Sequence, residues 1–69
     1  MSQHGEHLDD LTHKEQEILC LLAEGLTNRR IADALSITQS TVETHLHHIY
    51  QKLSAKNRTQ AAKWYRDHT

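Results

Sequence analysis

TNRRIADALSITQSTVETHLHHIYQKL, residues 27–53, is the stretch on which the reading of the fold turns. Thr27 offers a helix N-cap, and Ile31, Ala32 and Leu35 then repeat at helical spacing through about residue 35, with Arg29, Arg30 and Asp33 turned outward. Ser36 and Ile37 make a tight connection to Thr38, another N-cap. Beyond it Val42, Leu46, Ile49 and Leu53 fall at i, i+4, i+7 and i+11, one apolar stripe on a core-facing helix over about residues 39–53. Two short helices joined by three or four residues, the second with a polar outer face, describe a helix-turn-helix, whose second helix fits a groove ~12 Å wide.

The flanking segments extend this pair to four helices. Upstream, Thr12 followed three residues later by Glu15 is a capping box and opens a first helix from about His13 to Glu24. Ile18, Leu19, Leu21 and Leu22 form its apolar face, and Gly25 can adopt the left-handed conformation that ends it. Downstream, Ser54, Ala55 and Lys56 form a break, and Asn57 with Gln60 caps a last helix to about Asp67. The expectation is an all-α, four-helix domain over residues 11–69, preceded by a polar tail or linker at 1–10 (MSQHGEHLDD). Of Trp64 and Tyr65, one is expected to complete the core against Leu11 and Ile49 and the other to cover a partner.

Composition bounds the function. At 69 residues, with no Pro, two Gly and no Phe, the chain holds one small core, which excludes most enzymes. No Gly-rich phosphate loop, paired-carboxylate cleft or nucleophile elbow occurs, so neither catalysis nor a cofactor is expected. The net charge of −1 hides an asymmetry: residues 1–24 hold one base and six acids, residues 25–69 seven bases and three acids. Cys20 is a lone cysteine, expected partly exposed on a polar stripe with His13, Glu17 and Glu24, and a reducing compartment is the simpler assumption. No run approaches a membrane span, and the chain reads as soluble and cytoplasmic.

If the stripe of the third helix points inward, Gln39, Ser40, Glu43, Thr44, His47 and His48 face outward, where side chains can reach base edges. The free amides opening the second and third helices attract phosphate, helped by Thr27, Asn28, Thr38 and Thr41. Arg29, Arg30, Lys52, Lys56 and Arg58 add charge, although surface bases are ordinarily just solvated. Among seven histidines, His45 and His48 form an i, i+3 pair, but two imidazoles lack the further ligands zinc requires, and His4 and His7 in the tail lack partners too. His47 and His48 instead suggest that acidification strengthens duplex binding.

The runs LTHKEQEILCLLAEGLTNRRIADALSITQSTVETHLHHIYQKL (11–53) and NRTQAA (57–62) closely resemble the LuxR-type (GerE, NarL/FixJ) DNA-binding domain of bacterial transcription regulators, over about residues 11–66. The resemblance implies four helices, double-stranded DNA as partner with the third helix in its major groove, and a homodimer formed through the fourth, here near Lys63, Trp64 and Tyr65. It places base contacts at Glu43, Thr44 and His47, joined by Ser40, and phosphate contacts at Thr41 and the start of the second helix. Four positions depart from the pattern. Glu43 and Ser40 stand where the family often has Lys, and a carboxylate repels phosphate while it can accept from cytosine N4. Ser54 and Ala55 replace the usual Gly and aliphatic residue, and a non-Gly residue in the left-handed conformation costs roughly 1 kcal/mol. In this family a receiver or ligand-sensing domain often precedes such a module, so both an excised C-terminal domain and a stand-alone regulator fit. The competing reading keeps the scaffold but exchanges DNA for a protein partner, on the strength of the net charge and Glu43.

Overall fold

Each helix starts where a short polar side chain takes up an amide that the first turn leaves without an intrahelical partner. The computed structural model describes residues 10–69; all of the expected tail but Asp10, with His4 and His7, lies outside the described residues. Helix α1 (His13–Ala23) opens with the anticipated capping box: Thr12 Oγ1 accepts from the Glu15 amide at 3.1 Å, and Glu15 Oε1 accepts from the Thr12 amide at 2.9 Å. Helices α2 (Asn28–Leu35), α3 (Gln39–Leu53) and α4 (Arg58–His68) open at Thr27, Thr38 and Asn57, each accepting the amide three residues on.

The first three helices end alike, and the ending explains two serines. In each, an amide two or three residues past the helix end reaches back to a carbonyl five residues earlier, as Leu26 to Leu21 at 3.2 Å, Ile37 to Ala32 at 3.0 Å and Ala55 to Tyr50 at 2.9 Å. That closure needs a left-handed residue, which is Gly25 (φ 97°) after α1 but Ser36 (φ 59°) after α2 and Ser54 (φ 57°) after α3. The expectation for Ser54 is met, and Ser36 adds a second position of the same kind, each costing roughly 1 kcal/mol relative to Gly.

The core gathers the stripes that the closures aim at one another. Ile18, Leu19 and Leu22 from α1 meet Ile31 and Ala32 from α2, Val42, Leu46, Ile49 and Leu53 from α3, and Ala61 from α4, with Leu11 sealing one end. α3 packs against all three other helices, so its remaining face stands open. The expected aromatic in the core is not found as such. Ala61 is the side chain of α4 that is fully buried, while Trp64 and Tyr65 are both half-buried against the cluster, and Trp64 also stacks on His68 with ring centroids 4.0 Å apart.

Candidate nucleic-acid interface

The open face of α3 is formed by what the inward stripe leaves over. Gln39, Ser40, Thr41, Glu43, Thr44, His47 and His48 are all exposed, on the side away from Val42, Leu46 and Ile49. Thr44 donates its hydroxyl proton to the Ser40 carbonyl at 3.1 Å, which leaves the oxygen lone pairs to accept. The His47 and His48 rings lie 6.1 Å apart. Glu43 forms no ion pair among the described residues, so it presents an uncompensated carboxylate.

Two helix starts lie beside that face. The hydroxyls of Thr38 and Thr41 are 2.9 Å apart at the mouth of α3, where the Gln39 and Ser40 amides of the first turn have no intrahelical acceptor. Thr27, Asn28 and Arg29 at the start of α2 share a hollow with Gln39 and Arg58. A second hollow is lined by Asn28 together with Glu43, Leu46, His47 and Tyr50. Asn28 belongs to both, so the start of α2 and the outer face of α3 make one continuous surface, with Arg29 and Arg30 exposed at its edge.

Two cations expected at phosphates are held within the protein. Lys52 Nζ lies 2.8 Å from Glu15 Oε1, tying the end of α3 to the start of α1. Arg58, the first residue of α4, donates through Nη1 to Asn28 Oδ1 at 2.8 Å and through Nη2 to the Leu26 carbonyl. These three contacts span thirty residues of chain or more, with sequence separations of 37, 30 and 32. Lys63 pairs with Asp67 at 2.8 Å on the surface of α4, and this contact holds the Asp67 carboxyl below its ordinary range. Tyr65 turns toward α1, where the Cys20 thiol, partial burial and the charge of Glu24 push its hydroxyl up. Cys20 is half-buried, with its sulfur 3.6 Å from Glu24 Oε2.

Glu15 is the side chain whose place in the fold sequence reasoning undervalued. It caps α1 as expected, yet it is also buried, at 3% exposure. Burial on its own would raise its carboxyl, but hydrogen bonds from Lys52 and the Thr12 amide, with the positive charges of Lys52 and His45, outweigh that and hold it below the ordinary 4.5. A sequence signal was present: Glu15, Ile18, Leu19 and Leu22 stand at i, i+3, i+4 and i+7, so the glutamate continues the buried stripe. Tyr50, which lines the hollow beside α3, is instead raised by burial, against the opposing charge of Arg58.

Among the described residues, no group of three His, Cys, Asp or Glu side chains is placed to hold a metal ion, and no helix is long and apolar enough to cross a membrane. Comparison with known proteins then places this surface in context. A family model described as bacterial regulatory proteins, luxR family, matches residues 9–65. The chain is 51% identical over 61 residues to the transcriptional regulatory protein LiaR of Bacillus subtilis (strain 168), covering 87% of the chain and 29% of that protein. It is 49% identical over 57 residues to the CsgBAC operon transcriptional regulatory protein of Escherichia coli (strain K12), covering 83% of the chain and 26% of the relative. Against the nitrate/nitrite response regulator protein NarL of the same strain the identity is 46% over 57 residues, again 83% and 26%. The chain therefore matches between a quarter and a third of the length of these relatives.

Proposed function

Because the chain belongs to the luxR family of bacterial regulatory proteins, whose helix-turn-helix domain binds DNA, we propose that it is a sequence-specific reader of double-stranded DNA that inserts α3 into the major groove. The observation that carries this reading is the continuous polar surface formed by the outer face of α3 and the starts of α2 and α3. At 15 residues α3 is ~22 Å long, enough to lay its first turns along a groove while its last turn stays locked to α1. Glu43, Thr44, His47 and Ser40 are the base-reading candidates. Glu43 suits a donor on a base edge such as cytosine N4, because a carboxylate without a cation beside it gains nothing from the phosphates.

Phosphates are held by Thr27, Asn28, Arg29, Arg30, Thr38 and Thr41, through side chains and free amides. Lys52 and Arg58 serve this surface differently, by fixing where α3 and the start of α2 sit. The mechanism involves no covalent step: backbone contacts set register and supply most of the affinity, and two or three side chains select sequence. One domain binds weakly, and a homodimer formed through α4 near Lys63, Trp64 and Tyr65 raises affinity by occupying two half-sites. As the relatives are about three to four times longer than the match, an attached receiver or ligand-sensing domain controlling that dimer fits the same reading.

A fluorescence-anisotropy titration of a labelled mixed-sequence duplex with the 69-residue chain at ~50 and ~200 mM salt tests the proposal. Binding that weakens steeply with salt is expected. No binding at the lower salt refutes it.

A further inference from the structure

Arg58 and Asn28 stand 30 residues apart in the chain and meet at the hollow where α2 faces α3. Arginine carries only donors, so the atom of the Asn28 amide that faces Arg58 Nη1 at 2.8 Å must be the oxygen. The second contact, from Nη2 to the Leu26 carbonyl, fixes the guanidinium to the backbone just ahead of α2 and removes its freedom to swing away. With Oδ1 taken, the NH2 end of Asn28 is left, and it makes no hydrogen bond among the described residues. No buried side-chain nitrogen or oxygen there lacks a partner, so that end is open to solvent. Asn28 itself lines both hollows, one shared with Thr27, Arg29 and Gln39 and the other with Glu43 and His47.

We infer that Arg58 is a positioning residue that orients the Asn28 amide donor-outward, so that this side chain offers its NH2 group to a DNA phosphate. The inference rests on the DNA-binding reading above. A phosphate oxygen only accepts hydrogen bonds, so an amide turned the other way would set oxygen against oxygen and weaken the complex. Arg58 thus contributes to DNA binding without touching the DNA, although its charge and place near the groove suggest a direct contact.

The test uses the 69-residue chain and a labelled mixed-sequence duplex in the anisotropy assay, with circular dichroism to follow thermal unfolding. Asn28→Asp keeps an oxygen for Arg58 but replaces the outward NH2 with a second carboxylate oxygen. The expected result is an unchanged or higher Tm with duplex affinity lowered about tenfold or more. Thr69→Asp makes the same charge change at the exposed end of α4 and is expected to lower affinity less than threefold. Arg58→Gln removes the clasp and is expected to weaken binding while the slope of log K against log salt stays that of the wild type. Asn28→Asp binding within threefold of Thr69→Asp would overturn the inference, and so would a salt slope reduced by about one in Arg58→Gln, the mark of a lost phosphate contact. In both cases the wild type still binds DNA, so the broader reading survives. A wild type that binds no duplex overturns both.

Discussion

Replacing Lys52 with methionine isolates the charge that locks α3 to α1, because methionine keeps an unbranched stem and removes the ammonium. In the wild type Glu15 Oε1 accepts from Lys52 Nζ at 2.8 Å and from the Thr12 amide at 2.9 Å, with the glutamate side chain 4% exposed and the lysine side chain 35%. Stripping one partner from a fully buried ion pair costs about 3–5 kcal/mol, whereas exposed pairs are worth about 0–1. With one partner buried and the other a third exposed, the expected loss for Lys52→Met at pH 7 is about 2 kcal/mol. For a chain of this size that corresponds to a fall in Tm of about 8–16 °C.

The pH dependence separates charge from packing. The Glu15 carboxyl is held below 4.5, so its contribution to wild-type stability is complete above that pH and is lost as the pH falls through the depressed folded value. In Lys52→Met burial dominates and the carboxyl moves up, so the variant regains stability as it protonates. The gap between the two proteins, measured by urea unfolding, is expected to narrow as the pH is taken from 7 to 4. A gap of equal size at both pH values would refute the electrostatic account and assign the loss to the lysine stem.

The two left-handed serines predict that Ser36→Gly and Ser54→Gly each stabilise the fold by about 0.5–1 kcal/mol in urea unfolding, and a lower midpoint in either would contradict the closure described at that helix end. Glu43→Ala is expected to relax selection at one base pair when a library of duplexes is bound and sequenced, whereas Arg29→Ala weakens all duplexes alike and lowers the salt slope by about one; matching loss patterns would remove the distinction between base and phosphate contacts.

What could be read from the sequence was what depends on near neighbours. The caps at Thr12, Thr27, Thr38 and Asn57 are three-residue patterns, and the Val42–Leu46–Ile49–Leu53 stripe is periodic, so helix positions and the outward face of α3 followed directly. Ser36 was recognised as part of a tight connection, but its left-handed backbone was not, because a serine carries no propensity that announces it. The Arg58 to Asn28 contact joins residues 30 apart and depends on how α4 docks, which no local pattern encodes; by charge alone Arg58 looked like a phosphate ligand. Trp64 and Tyr65 were divided between core and partner, yet both lie half-buried against the cluster and Ala61 is the side chain of α4 that is fully buried.

The central claim is that DNA meets the outer face of α3 and the start of α2. An amide-resolved NMR titration of the nitrogen-labelled chain with a mixed-sequence duplex, at low and then higher salt, tests it most directly. The account predicts salt-sensitive shifts concentrated at residues 27–30 and 38–48, with the core amides of α1 little changed. Shifts absent from those segments in the folded chain, or gathered on the exposed side of α4 alone, would contradict it.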